Sequence, residues 1–299
     1  MIDLSTAGQF MKEYPKISVI TPSFNQGHFL EKTLRSVLNQ NYPNLEYIVI
    51  DGGSTDESVS IIQRYADKIT YWVSEKDRGQ SHAINKGFLQ ATGDIICWLN
   101  SDDYYLPDTL HFVAEQFNSS QHYSAIVGHC IKVHIDGRAD QLLEGSYTDR
   151  RRLLSFWHGY HMHQAAIFWR REVYEKIGLL DEKMHFIMDF DYWARASKHF
   201  TFKSVDRPMA CITYHPAAKT GDGYVNYSQD LRKYAPNYWG SPLTLEYWTL
   251  QLSMRKTLDF DTIPSKIKFC IKKALRVPLG LFRHTEFIQS VATKLKINT

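Results

Sequence analysis

Blocks of apolar and polar residues alternate regularly over the first 120 positions. Residues 17–21 (Ile-Ser-Val-Ile-Thr) are strand formers, and residues 22–27 are rich in turn formers. Phe29, Leu30, Leu34, Val37 and Leu38 then recur at helical spacing. Residues 47–50 predict a second strand that ends on Asp51, Gly52 and Gly53. Ser54 and Glu57 stand at capping-box spacing before Ile61, Ile62 and Tyr65, which predicts a helix starting there. A third strand is expected over 69–73 and a third helix over 80–91, stopped by Gly93. Residues 95–99 (Ile-Ile-Cys-Trp-Leu) are apolar without alternation, as in a strand covered on both faces. Strand and helix in turn predict an α/β fold: a mostly parallel central sheet with helices on both faces.

The second half is less regular. A helix is expected from Pro107 to Phe117, and strands over 125–127 and 131–135 with a turn at Asp136-Gly137. Residues 150–157 read as helix, 165–169 as strand, and 171–177 as a helix closed by Gly178. Residues 189–197 read as helix, and 210–214 as a strand leading to His215. From 226 onward the pattern is mostly helical. No Pro/Gly/Ser-rich linker and no internal repeat appears, so 1–225 and 226–299 are divided only by this change of character.

In parallel sheets ligands bind at the carboxyl ends of the strands. Pro22-Ser23, Asp51-Gly52 and the run Asn100, Ser101, Asp102, Asp103 all occupy such ends. Two adjacent carboxylates after a buried strand suit Mg²⁺ or Mn²⁺ shared with phosphates, or else a turn with an Asp cap. No G-x-G-x-x-G follows the first strand and no G-x-x-x-x-G-K-[ST] occurs, which excludes the usual dinucleotide loop and the P-loop kinases and ATPases. Arg78 and Lys86 flank the third helix, as phosphate contacts or as solvated charges. His163 and Gln164 precede a strand, where they could touch a donor sugar or an acceptor. His158 and His161 stand close by, but no Cys or carboxylate partners the three at zinc spacing.

Charge adds one feature. The net charge of +3 is too small to argue for nucleic acid. Residues 255–299, however, hold ten Lys or Arg against three Asp or Glu, leaving the preceding chain weakly acidic. Within 265–296, basic residues interleave with Ile267, Phe269, Ile271, Leu275, Leu279 and Phe282, and Pro278 splits the run. That is the pattern of interfacial helices on a membrane surface, or of helices packed on the body with their charges in water. The four cysteines form no C-x-x-C pair and sit in apolar surroundings, as buried thiols in a reducing compartment do. The first ten residues lack a signal-peptide pattern, and no apolar run approaches the roughly 20 residues of a membrane span. The expectation is a cytoplasmic protein, peripheral on the membrane through its tail.

Five signatures occur in order: I-S-V-I-T-P-S-F-N at 17–25, D-G-G-S-T-D at 51–56, N-K-G at 85–87, G-D-I-I-C-W-L-N-S-D-D at 93–103, and G-L-L-D-E followed by M-D-F-D-Y-W at 188–193. Together they resemble the family 2 glycosyltransferases of the GT-A fold, a Rossmann-like architecture, over residues 15–220. The resemblance implies an inverting transfer of a sugar from a nucleotide-sugar, expected to be a UDP-sugar, to an acceptor hydroxyl in a polysaccharide or lipid-linked glycan. It places Pro22 and Asp51 around the nucleotide base, with Thr21, Ser23, Asn25, Asn100 and Ser101 beside the donor. The N-S-D-D run resembles the D-x-D site, with Asn100 in place of the first Asp. Asp102 or Asp103 would then bind the metal, with His215 facing it as in some relatives of the fold. M-D-F-D resembles the motif of the catalytic base, with Met188 in place of Glu. Asp189 is the expected base, its pKa lowered by the start of the helix; Asp191 would orient the acceptor or make a structural bond. Two other readings stay open: a sugar-phosphate nucleotidylyltransferase, against which the missing glycine-rich N-terminal loop counts, and a non-catalytic nucleotide-sugar-binding domain, for which the two departures leave room.

Overall fold

Every residue of the first strand, β1 (Ile17–Ser23), is buried, so layers cover it on both sides. The computed structural model describes residues 14–154, 162–216, 218–219, 229–231, 233–234 and 237–238. The chain divides into two compact units, Met1–Leu231 and Arg232–Thr299, and all elements below lie in the first. The other strands are β2 (Leu45–Asp51), β3 (Tyr71–Ser74), β4 (Ile95–Trp98), β5 (Tyr104–Tyr105), β6 (Ala125–His134), β7 (Gln141–Leu143), β8 (Ile167–Arg170) and β9 (Phe202–Tyr214). The helices are α1 (Gly27–Leu38), α2 (Ser58–Arg64), α3 (Gln80–Gln90), α4 (Thr109–Ser119), α5 (Arg150–Leu154), α6 (Arg171–Ile177) and α7 (Met188–Ala196). The sheet runs β3-β2-β1-β4-β8-β6-β9-β5, with β7 on β6. The expected α/β architecture is present. Its first four strands are parallel, β8 enters antiparallel between β4 and β6, and β9 runs parallel to β6.

Several local expectations change. Pairing with Ile48–Asp51 sets the third strand at Tyr71–Ser74, and Ile69 is buried ahead of it. The stretches 125–127 and 131–135 join in one strand that ends at His134, interrupted only by register shifts near His129. Residues 164–166 make a 3-10 turn before β8 starts at Ile167. α5 ends at Leu154 in the described chain, and 155–157 lie outside the described residues. The basic stretch 265–296 and Cys270 also lie outside them. Cys97, Cys130 and Cys211 are buried free thiols, and burial pushes Cys97 up to about 12.

Two packing features hold the working edge of the sheet. The glycine of N-K-G, Gly87, lets α3 lie against β1, because a Cβ there would stand 2.3 Å from Ile20 Cγ2. Behind β4, Trp98 stacks on Trp193 of α7 at 5.8 Å and 4°, and Trp169 packs edge-on to both. This aromatic wedge fixes α7 relative to the end of β4.

Glu46 is a buried carboxylate of β2. It accepts bonds from Ser18 Oγ (2.5 Å) and from the Thr92 amide (2.6 Å), and pairs with Lys16 at 2.7 Å. Burial alone would raise its pKa, but these partners outweigh it and hold the carboxyl down at about 2. The folded pKa lies below the unfolded one, so the ionised form favours folding. Its stabilisation, roughly 2–3 kcal/mol, is complete above about pH 4.5 and drains as pH falls toward about 2. Urea melts of Glu46→Gln and the native chain should therefore differ at pH 7 and converge near pH 2.

Candidate active site

The ends of β1, β2 and β3 are flush, with Ser23 beside Asp51 and Asp51 beside Ser74. Asp51 is fully buried. Its oxygens accept hydrogen bonds from the amides of Gly53 (3.1 Å) and Ser54 (2.8 Å) and from the hydroxyls of Ser54 (2.5 Å) and Ser74 (2.6 Å). The carboxylate that the resemblance places beside the nucleotide base shapes its own loop through these bonds. The same bonds overturn the capping box. Ser54 is committed to Asp51, so α2 starts later, at Ser58, behind Glu57. Asp56 serves that turn, accepting from the Ser58 and Gly27 amides.

Asn25, at φ 51°, bonds the Thr55 amide through its Oδ1 at 2.9 Å. Thr21 lies 3.1 Å from the Tyr47 hydroxyl, and Pro22 is paired in register with Ile50. Ser23 Oγ is buried with no hydrogen-bond partner among the described residues. Arg78 forks onto Glu182 at 2.8 and 3.0 Å on the surface, and Lys86 pairs with Glu75 at 2.8 Å.

After β4 the chain turns tightly, and its four polar residues separate. Asp102 keeps partial exposure and lies 3.2 Å from His215 Nε2, at the end of β9. His215 is buried and its ring packs on Phe29 at 4.3 Å. Asp103 turns inward, accepting from the Thr213 amide at 3.1 Å and from Asn100 Nδ2 at 3.3 Å. Burial, and then the Asp102 charge, push its carboxyl well above the ordinary range. A core carboxyl biased toward its neutral form is a poor metal ligand. Of the two carboxylates offered for a metal, Asp102 is the one beside His215, and the described residues contain no cluster of three or more such side chains. A carboxylate oxygen and an imidazole nitrogen side by side suit a divalent ion that takes its remaining ligands from phosphate. Ser101 is buried in this turn.

The two aspartates of M-D-F-D part company as well. Two residues along a helix point to nearly opposite sides. Asp191 is buried and bonded to Arg195 at 2.8 Å, and Arg195 also ties down the Ile177 and Leu179 carbonyls. Of the two roles open to it, the structural bond is the one seen, as a clamp between α7 and the end of α6. Asp189 is half-buried in the first turn of α7 and accepts from the Phe190 amide at 2.8 Å. Burial raises its pKa, against the opposing pull of that amide and of Lys219. This reverses the expected lowering, because loss of water outweighs the helix terminus.

A line of amides joins these parts. Lys219 Nζ donates to Gln80 Oε1 at 3.0 Å, and Gln80 Nε2 donates to Asn100 Oδ1 at 2.8 Å. Asn100 Nδ2 reaches Gln164 Oε1 at 3.3 Å, and Gln164 Nε2 donates to the Trp98 carbonyl at 2.6 Å. Lys219, Gln80, Asn100 and Gln164 thus share one neighbourhood at the carboxyl edge of β4, and the Ser81–Met188 contact at 2.9 Å brings the start of α7 against the start of α3. The sequence reading missed Gln80 and Lys219. Gln80 opens α3 directly after Gly79, which was a usable signal; Lys219 carries none. His163 precedes the 3-10 turn, and its carbonyl accepts the Ala166 amide at 3.0 Å. His158 and His161 lie outside the described residues.

An uncharacterized glycosyltransferase of Rickettsia typhi is 29% identical over 185 residues, 60% of this chain and 58% of that protein. The chain thus spans less than two thirds of that relative's length. The GalNAc(5)-diNAcBac-PP-undecaprenol beta-1,3-glucosyltransferase of Campylobacter jejuni is 34% identical over 121 residues, 39% of this chain and 38% of that one. Among solved structures, S. aureus TarS 1–349 in complex with UDP-GlcNAc matches with a TM-score of 0.61 at 17% identity, covering 87% of this chain and 79% of that one. The mannosyltransferase PcManGT of Pyrobaculum calidifontis, in complex with GDP-Man and Mn²⁺, gives 0.60 at 17% identity, with coverages of 95% and 80%. These two likenesses bear on the fold, which is the GT-A architecture. The Glycosyl transferase family 2 profile matches residues 18–178, from β1 past the end of α6 and through the whole Asn100–Asp103 turn, and on that ground the chain belongs to glycosyl transferase family 2.

Proposed function

We propose that this chain is an inverting glycosyltransferase that moves a sugar from a nucleotide-sugar to an acceptor hydroxyl. The observation that carries the reading is a half-buried carboxylate, Asp189, in the first turn of α7, which meets the first turn of α3 through Ser81 and Met188, while Gln80 beside Ser81 holds Asn100 of the Asn100–Asp103 turn. The acceptor oxygen attacks the anomeric carbon from the side opposite the diphosphate. Its proton passes to the Asp189 carboxylate. The bond from the anomeric carbon to the diphosphate oxygen breaks, and its electron pair leaves with the nucleoside diphosphate. One displacement inverts the sugar. A carboxylate whose pKa is raised by burial is the stronger base for this step, and such a group contributes on the order of 10² to 10⁴ in rate.

On the donor side, Thr21, Pro22, Ser23, Asn25 and the loop held by Asp51 form the base pocket in this reading, and the unpartnered Ser23 hydroxyl supports it. Asn100, Ser101, Gln164 and His163 line the sugar. Arg78 and Lys86 would have to release Glu182 and Glu75 to reach a phosphate. Asp102 and His215 would hold a Mn²⁺ or Mg²⁺ ion, which when bound neutralises charge on the leaving diphosphate as a Lewis acid.

A UDP-sugar is the first donor to test, since one structural neighbour holds UDP-GlcNAc. A lipid-linked glycan is our proposed acceptor, because the Campylobacter relative's name specifies an undecaprenol-linked one. We assign the chemistry to 1–225 and contact with a membrane surface, on its cytoplasmic side, to the basic extension 226–299. No helix among the described residues is long and apolar enough to cross a membrane.

The test is a panel of nucleotide-sugars incubated with Mn²⁺ while nucleoside diphosphate release is measured. Release of UDP from one sugar, abolished by EDTA, is expected. Pyrophosphate formed from a sugar-1-phosphate and a nucleoside triphosphate would make the protein a nucleotidylyltransferase instead. Donor binding without turnover would make it a binding module.

A further inference from the structure

We infer that Thr33 and Phe29 of α1 are positioning residues that set Asp102 against His215. The inference rests on the proposed role of that pair in holding a divalent ion and goes beyond it. Asp102 follows β4 and His215 follows β9, and these strands are not neighbours in the sheet. Their side chains nevertheless meet at 3.2 Å, across 113 positions. Part of the alignment comes from the turn itself, through the bond from the Thr213 amide to Asp103 and the pairing of Tyr104 with Cys211. The rest comes from α1, which touches both members of the pair.

Thr33 is buried, and its hydroxyl lies 2.9 Å from the Ser101 carbonyl and 2.6 Å from the Asp103 carbonyl. These belong to the residues on either side of Asp102. One hydroxyl proton is shared between them, and it fixes the backbone from which the Asp102 side chain leaves. Ser101 and Asp103 are themselves buried, so little water can replace it. One turn earlier on the same face of α1, the Phe29 ring packs on the His215 ring at 4.3 Å and 30°. Past Thr33 the face continues: Ser36 Oγ accepts the Tyr105 amide at 3.0 Å, and Gln40 Nε2 donates to the Leu106 carbonyl at 2.9 Å. Positions 29, 33, 36 and 40 follow helical spacing, so the segment 101–106 is laid along one side of α1. That accounts for a buried threonine and glutamine in a helix whose other buried residues include Leu30, Leu34 and Val37. Burying such polar groups is tolerated because each has a partner in the turn or just after it.

The test separates metal geometry from stability. Mn²⁺ is titrated calorimetrically into the full chain in the presence of UDP. Thr33→Val keeps the shape of the side chain and removes the hydroxyl. It should weaken Mn²⁺ binding by on the order of 10- to 100-fold, the usual effect of losing a group that orients a metal ligand. Thr33→Ser, which keeps the hydroxyl, should restore it. Phe29→Leu, at a partly exposed position, should weaken it as well. Gln40→Leu is the comparison. It strands the Leu106 carbonyl and the Leu110 amide, so it should lower the melting temperature while Mn²⁺ affinity stays near native. Native affinity in Thr33→Val, or no recovery in Thr33→Ser, would overturn the inference. Equal losses in Thr33→Val and Gln40→Leu would overturn it too, since stability alone would then explain both. Should Thr33→Val not fold, native affinity in Phe29→Leu decides against the inference. A second measurement needs no metal. The Asp103 amide donates to the Asn100 carbonyl at 3.1 Å, and its hydrogen exchange should quicken by on the order of tenfold in Thr33→Val and return to native in Thr33→Ser. A native chain that binds no Mn²⁺ would sink the metal reading; unchanged exchange of this amide in Thr33→Val would sink the positioning by Thr33.

Discussion

Asp189→Asn should reduce sugar transfer by on the order of 10² to 10⁴, with donor KM nearly unchanged. The amide is isosteric and can still accept from the Phe190 amide, so the first turn of α7 keeps its geometry. What is lost is the ability to take a proton. The pH dependence sharpens the test. Asp189 acts only when ionised, and burial holds its pKa above the usual carboxylate value. Turnover of the native enzyme should therefore fall as pH drops through that raised pKa, at higher pH than for an exposed aspartate. Asp191→Asn is the control. It loosens the Arg195 clamp and lowers the melting temperature, while kcat below that temperature stays near native. If Asp191→Asn abolished turnover and Asp189→Asn spared it, the assignment of the base would have to be reversed.

The difference between these two aspartates shows where pattern reading stops. From the sequence both belong to one acidic motif, and both begin a helix. Which of them faces the cleft depends on how α7 is rotated, and the Trp98–Trp193 stack fixes that rotation from outside the motif. The sign of the Asp189 shift depends on burial, which no local window reports. Asp102 and Asp103 pose the same problem: they are adjacent, yet one stays partly exposed near His215 and the other turns toward the Thr213 amide. By contrast, the first four strands and the helices between them were legible in apolar periodicity, apart from the bounds of β3 and the start of α2, because each element carries its own apolar pattern. The polar ends at Ser23, Asp51 and Asn100 followed from them too. Lys219 had no local signal. It reaches Gln80 across 139 positions, so only the fold brings it to the site.

Asp102→Ala should abolish metal-dependent turnover, with a loss of several kcal/mol of transition-state stabilisation, on the order of 10³-fold. The substitution removes the partly exposed carboxylate beside His215 and leaves an imidazole alone, which holds Mn²⁺ or Mg²⁺ weakly because both prefer oxygen. Calorimetric titration with Mn²⁺ in the presence of nucleoside diphosphate should show binding lost in Asp102→Ala and weakened in His215→Asn. Asp103→Asn should behave differently. Its carboxyl is already pushed toward the neutral form and accepts from the Thr213 amide, and an asparagine can make the same contact. Mn²⁺ affinity should therefore survive in Asp103→Asn. The reverse pattern, with affinity kept in Asp102→Ala and lost in Asp103→Asn, would mean that Asp103 rotates out of the core to bind the ion. The inward hydrogen bond to Thr213 would then have to break when the metal arrives, at a cost that a pre-paired Asp102 and His215 avoid.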